Sequence, residues 1–333
     1  TQRVSMFRLV YRCSRPVFVR HRSFWLSLSR PASCPPSTTP LGYFPPAFRS
    51  SASSSPVSTI TTGTLHFSSC SSPMSSPSGI SASRSIASLR EALVEQVAAA
   101  GDPATAKGQA HYHKTLRHFY GVRAPQLQQL FKRFFADHLR ELPIETCFQL
   151  SVALLSEAHS ECKQCAALLL QAVLPQLKAE HMHRLEAVLD AHCFDWATCD
   201  ALCCRVFFVL VQRDPACLTI VQSWKDAPNQ WRQRASCVTF VKLGKRPEYV
   251  ETIFDICATT CLSQERFVQL GTGWVLRQVS LIELDRVVAF LKQNYAHFSR
   301  EGLRYAIEKM DPALRTLLLR YGRDPPPEKR LRK

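Results

Sequence analysis

The sequence predicts an all-α protein: HEAT-like antiparallel helical repeats forming a curved solenoid, an α–α superhelix. Three observations carry this. Apolar residues recur at helical spacing from Ser85 onward. Glycine is scarce, 11 in 333 residues, and none lies between Val122 and Leu243, whereas strand-and-turn architectures want it at their turns. Proline falls near the expected helix starts, at Pro125, Pro143, Pro215, Pro247 and Pro312, where its missing N–H costs least.

Taken in order, Leu89, Leu93, Val94, Val97 and Ala98 form the first apolar stripe, and Leu127, Leu130, Phe131, Phe134 and Phe135 the next. Further helical segments are expected at about 143–157, 160–174, 179–191, 195–212, 215–224, 228–242, 248–261, 264–279, 281–294, 298–309 and 311–321. Connections this short make successive helices pack antiparallel. Pairs of about 40 residues are the rhythm of a helical solenoid, which offers a concave face to a long partner.

The ends differ from this middle. Residues 1–90 carry ten Arg, no Lys and no acid, with 24 Ser and ten Pro. Arg-rich, Ser-rich and acid-free is the composition of an organelle transit segment, and too little apolar surface is present to offset ordering entropy. Residues 1–84 are therefore expected to be a disordered leader addressing a mitochondrion or plastid. Met6 and Met74 are both candidate starts; initiation at Met74 would remove most of the leader and admit a nuclear address. Residues 85–322 form the folded domain, and 323–333 a basic, Pro-rich tail.

Composition also excludes functions. The long Gly-free stretch rules out a dinucleotide fingerprint, a phosphate-binding loop or a serine-hydrolase elbow there, since each needs Gly for close backbone approach. No apolar run approaches the ~20 residues of a membrane span. Cys162 and Cys165 form a single C-x-x-C, and Cys199, Cys203 and Cys204 sit at helical spacing among apolar residues. This spacing suits buried thiols rather than a metal site or a disulfide framework. No metal and no cofactor is expected.

Two windows inside the folded part are purely basic. Pro103–Ala136 holds Lys107, Lys114, Arg117, Arg123, Lys132 and Arg133, interleaved with Tyr112, His113, His118, Phe119 and Tyr120. Trp231–Pro247 holds Arg232, Arg234, Lys242, Lys245 and Arg246. The remaining helices are net acidic, so the stripes suit a phosphate backbone; solvated helix faces are the alternative.

Five strings follow in one order. The first is Tyr112-His113-Lys114 leading to Phe119-Tyr120-Gly121-Val122-Arg123-Ala124-Pro125. Then come Asp195-Trp196-Ala197-Thr198-Cys199-Asp200 and Trp231-Arg232-Gln233-Arg234-Ala235. The last two are Gln269-Leu270-Gly271-Thr272-Gly273-Trp274-Val275-Leu276-Arg277 and Arg300-Glu301-Gly302-Leu303-Arg304-Tyr305-Ala306-Ile307-Glu308-Lys309. Over about 105–315 the chain resembles the DNA alkylation repair family of AlkD-like glycosylases. The resemblance implies a curved helical array that binds duplex DNA on its concave face. It also implies removal of cationic alkylated purines, 3-methyladenine and 7-methylguanine, without drawing the lesion into a deep pocket. Trp196, Asp200 and Trp274 match the family's catalytic residues, and Arg234 its phosphate-contacting Arg. Tyr112 matches a Tyr of the first repeats, less securely because the flanking spacing varies. Leu270 stands where the family often has Lys or Arg, and Thr272 replaces an aliphatic residue.

The residue types make sense on their own. An N-alkylated purine leaves as a neutral base and needs no general acid; the oxocarbenium-like sugar is what needs help. A preorganised carboxylate beside it stabilises that charge and orients water. Trp196 and Asp200, at i and i+4, share a helix face, and Trp196 and Trp274 can offer π faces to a cationic nucleotide. Lys114, Arg123, Arg232, Gln269 and Arg277 are further candidate DNA contacts. Structural roles compete at several positions: Trp231 as core, Asp195 as a helix cap, Arg277 with Glu308 as an inter-helix ion pair, and Glu161 and Lys163 as internal struts. The expected state is a monomer on duplex DNA containing alkylated purines. A non-catalytic module binding damaged or branched DNA, or a helical scaffold for proteins, are the other classes the sequence permits.

Overall fold

A computed structural model describes residues 85–113 and 118–321. The chain divides into units Thr1–Pro77 and Ser78–Lys333, and every described residue belongs to the second. The leader 1–84, Lys114, Arg117 and the tail 323–333 lie outside the described residues.

The described residues are helical throughout, with no strand among them. The α-helices, in chain order, are α1 (Ile86–Ala99), α2 (Pro103–His113), α3 (Ala124–Phe134), α4 (Ile144–Leu155), α5 (Ser160–Ala172), α6 (Ala179–His192), α7 (Trp196–Leu202) and α8 (Phe208–Arg213). They continue as α9 (Pro215–Ser223), α10 (Gln230–Val238), α11 (Val250–Thr260), α12 (Arg266–Val279), α13 (Leu284–Gln293), α14 (Arg300–Ala306) and α15 (Pro312–Arg320). Proline sits at or just before the first turn of α3, α4, α9 and α15, and opens the 3₁₀ turn Pro247–Tyr249 ahead of α11. The segment 195–212, expected as one helix, is α7 and α8 joined by a π-helical turn, Cys203–Phe207. Such one-residue widenings recur beside functional sites.

Two rows of helices form a repeat solenoid. One row runs α3, α5, α7, α10, α12, α14, each packed on the next; the other runs α1, α4, α6, α9, α11, the last two meeting through the turn Trp224–Asp226. Side-chain hydrogen bonds between neighbouring repeats recur at a near-constant sequence separation. Gln164 to the Ala197 carbonyl spans 33 residues, Asp200 to Arg234 34, and Arg266 to Glu301 35. Between the rows lies the core, with Leu89, Phe134, Phe148, Leu169, Phe207, Trp224 and Phe240 fully buried. Each such side chain contributes about 1.5–3 kcal/mol by leaving water. Trp224 satisfies its indole N–H on Glu186 at 2.7 Å. The eleven described cysteines are free and buried. Among the described residues no helix is long and apolar enough to cross a membrane, and no group of three or more His, Cys, Asp or Glu is placed to hold a metal ion.

The first-row helices approach closely where residues are small. A Cβ on Gly273 would lie 2.4 Å from the Gly302 carbonyl oxygen, and one on Gly302 2.9 Å from the Gln269 carbonyl oxygen. These glycines let α12 and α14 meet nearly backbone to backbone.

α2 had no sequence signal: it buries no residue, so it shows no apolar stripe. Local bonds hold it. Asp102 caps its first turn, accepting from the Thr105 amide at 2.8 Å. Gln109 donates to the Val122 carbonyl at 3.3 Å. The loop after α2 docks through Gly121, whose φ of 90° only glycine adopts freely. Buried Glu161 collects that loop, accepting from the amides of Tyr120, Gly121 and Val122 at 3.2, 2.9 and 3.2 Å. Lys163 donates to the carbonyls of Leu155 and His192. Both act as internal struts.

Candidate functional site

α7 starts at Asp195, whose carboxylate accepts from the Thr198 amide at 2.8 Å and the Thr198 hydroxyl at 2.7 Å. This buried cap fixes the first turn, and with it Trp196 at the first helical position and Asp200 one turn on. Trp196 is half-buried. Asp200 lies between α7 and α10, its side chain 11 % exposed.

α10 starts at Asn229, which accepts from the amides of Trp231 and Arg232. Trp231 is core, buried with its ring 5.0 Å from that of Phe267. One turn on, Arg234 donates from Nε to Asp200 Oδ1 and from Nη2 to Asp200 Oδ2, both at 2.9 Å. Its Nη1 donates to the Phe267 carbonyl at 2.6 Å. Gly271 on α12 leaves room for this arm: a Cβ there would sit 3.4 Å from Arg234 Cγ.

Burial pushes the Asp200 carboxyl up to about 6, against the attraction of Arg234. Burial also works against the Arg234 charge, but Asp200 more than offsets it and holds the guanidinium above its ordinary value. The pair is therefore ionised at neutral pH, and the carboxylate is fixed in direction by a two-pronged grip.

The other expected residues fall into two groups. Tyr112, 46 % exposed, stands edge-on to Trp196 with ring centroids 6.1 Å apart. α7 and α2 thus join residues 84 positions apart in one aromatic cluster. Trp274 is half-buried on α12, and Arg123 is exposed at the start of α3.

Four expected DNA contacts are occupied inside the protein. Arg234 is buried, with all three guanidinium nitrogens engaged, so the expectation of a phosphate contact gives way to a role on Asp200. Gln269 is buried, donating to the carbonyls of Cys261, Ser263 and His297 at 2.7, 2.9 and 3.1 Å and accepting from the Ser299 amide at 3.0 Å. It ties the end of α11 to the start of α14. Arg277 is buried, paired with Glu308 and 5.8 Å from the Tyr305 ring centre, the ion pair the sequence also allowed. Arg232 turns to α6, 3.3 Å from Asp190 and 3.6 Å from Glu186. Thr272 is not an inert replacement: its hydroxyl donates to that of Thr260 at 2.8 Å.

Within the two stripes the exposed basic residues include Lys107, Arg123, Lys132, Arg133, Lys245 and Arg246, while Lys242, also exposed, donates from its ammonium to the Cys204 carbonyl. Sequence reasoning missed His113 as part of the site. Its ring stacks on Trp196 at 4.9 Å and 18°. The position directly after Tyr112 was the available signal.

Residues 93–310 match the family model of the DNA alkylation repair enzyme. The chain belongs to the DNA alkylation repair enzyme family. Membership gives it a role in DNA alkylation repair and makes DNA its partner. A solved structure described as a predicted DNA alkylation repair enzyme from Enterococcus faecalis is similar, with a TM-score of 0.56 and 21 % identity. The alignment covers 64 % of this chain and 97 % of that one, and at this identity the likeness shows the fold alone. No curated protein matches the chain. In this alkylation-repair fold the helical repeats place Trp196 and Asp200 on α7 and Arg234 on α10, neighbouring helices of one row.

Proposed function

We propose that the protein is a DNA glycosylase that excises cationic alkylated purines, 3-methyladenine and 7-methylguanine, from duplex DNA. The observation that carries this reading is the carboxylate of Asp200, held in one direction by Arg234, one helical turn from a half-exposed Trp196.

The chemistry needs little else. The glycosidic bond breaks with its electron pair going to the base, which departs neutral. The sugar is left as an oxocarbenium-like cation. Asp200 supplies a preorganised negative charge for that cation. A water oriented by the same carboxylate adds at the anomeric carbon and releases one proton. Trp196, with Trp274 from α12, offers π faces to the cationic nucleotide, worth about 0.5–2 kcal/mol per contact. Arg234 acts through Asp200: it keeps the carboxylate ionised and aimed.

Exposed bases of the two stripes hold phosphates, supplying register without sequence readout. The protein works as a monomer in this reading, and the leader directs it to a mitochondrion or plastid.

The test is incubation of the chain with duplex carrying 7-methylguanine. Free 7-methylguanine and an alkali-labile abasic site should accumulate together. Tight duplex binding without base release would instead favour a non-catalytic module for damaged or branched DNA. Absence of salt-dependent duplex binding would favour a protein scaffold.

A further inference from the structure

The mechanism above leaves one feature of the site unused. His113, the last residue of α2, stacks on Trp196 with ring centroids 4.9 Å apart and planes 18° apart. Phe119 packs against His113 at 5.2 Å and 34°. Tyr112 stands edge-on to two of these rings, 5.2 Å from His113 at 88° and 6.1 Å from Trp196 at 76°. Phe119, His113 and Trp196 thus form a three-ring column braced by Tyr112, spanning two helices and the loop between α2 and α3.

The column decides which part of Trp196 a substrate can meet. A stacked ring occupies one π face, so a nucleotide meets the opposite face or the ring edge. It also fixes the indole rotamer. Trp196 is the first residue of its helix and only half-buried, so little of its own helix restrains it. Stacking against a neighbouring ring supplies that restraint.

We propose that His113 is a positioning residue: by backing one π face of Trp196 it presents the other to the cationic nucleotide. The inference rests on the glycosylase reading. α2, which carries no core residue, then serves to deliver Tyr112 and His113 to this column.

The experiment uses the full chain with His113→Ala and His113→Phe, each also made with Trp196→Phe so that the Trp196 emission is obtained by difference. Base release from a 7-methylguanine duplex and affinity for that duplex are measured alongside. His113→Ala should lower kcat about tenfold, the scale of a modest misplacement, with little change in KM, and should red-shift the Trp196 emission as the bared face meets water. His113→Phe, which keeps a flat ring, should restore both. Wild-type kcat and unshifted emission in His113→Ala would overturn the proposal. So would failure of His113→Phe to restore either when its melting temperature matches wild type. If the wild-type chain releases no base, the glycosylase reading fails by itself. The positioning claim then stands or falls on the emission shift, expected in His113→Ala and reversed in His113→Phe, with lesion-duplex affinity little changed in both.

Discussion

Arg234 grips Asp200 with two parallel hydrogen bonds of 2.9 Å, Nε to Oδ1 and Nη2 to Oδ2, across the seam between α7 and α10. The pair gives the acid a fixed direction and a charge that burial alone would oppose. It also makes each partner dependent on the other. Removing Arg234 leaves a buried carboxylate that takes up a proton, so Arg234→Ala should abolish excision and lower stability by about 3–5 kcal/mol. Arg234→Lys keeps the charge but cannot form the fork; it should recover part of the stability and less of the activity. Denaturant unfolding beside a base-release assay checks both.

The pH dependence follows from the same carboxyl. Its folded pKa, about 6, lies above its ordinary value because burial favours the neutral form. Excision needs the anion, so it should rise with pH through about 6 and level off above 7. Stability runs the other way. Between the ordinary carboxyl range and pH 6 the folded chain holds a proton that the unfolded chain has released. The contribution of Asp200 to stability is thus full at the acid end and is lost as pH rises through 6. Asp200→Asn should lack this fall, so the difference between wild-type and variant unfolding free energies should itself decline as pH rises across 4–7.

Duplex binding should separate the exposed bases from the buried ones. Arg123→Ala should make the slope of log affinity against log salt shallower by about one unit. Gln269→Ala and Arg277→Ala should leave the slope unchanged, because both side chains are spent inside the protein. Gln269→Ala should instead cost about 1–3 kcal/mol of stability, since buried carbonyls lose their donor. Loss of duplex affinity in Gln269→Ala, measured below that variant's melting temperature, would restore it as a DNA contact.

Gly273→Ala tests the close approach of α12 and α14. In an exposed helix this change would stabilise by about 1 kcal/mol. Here the new methyl meets the Gly302 oxygen at 2.4 Å and Tyr305 Cβ at 2.9 Å, so the first-row helices must part. Overpacking of this kind costs about 1–3 kcal/mol, and the melting temperature should fall.

Most of the fold was legible because nearly every helix buries an apolar stripe, and a stripe at period 3.6 survives in the sequence. α2 was not legible for the matching reason: its anchors are Asp102, Gly121 and Gln109, none of which leaves a periodic mark. The site divides in the same way. Trp196 and Asp200 are one turn apart on one helix, a relationship spacing alone reveals. The Asp200–Arg234 pair depends on the register between two helices, 34 residues apart, and no local pattern encodes it. Arg234, Gln269 and Arg277 misled for one physical reason. On a first-row helix a long polar side chain can turn into the seam towards its neighbour as readily as outwards, and residue type does not distinguish the two. Asp195 read correctly because a cap is a local bond.

The central claim is that the Asp200 carboxylate stabilises the cationic sugar. The most direct measurement is single-turnover release of 7-methylguanine by Asp200→Asn, made below that variant's melting temperature, with affinity for undamaged duplex in parallel. Excision should fall by ~10²-fold or more, ~2.7 kcal/mol, the scale of a lost preorganised electrostatic group. Undamaged-duplex affinity should hold or tighten, since a carboxylate near phosphates repels them. Release at the wild-type rate would contradict the account and leave base departure to binding or to another acid.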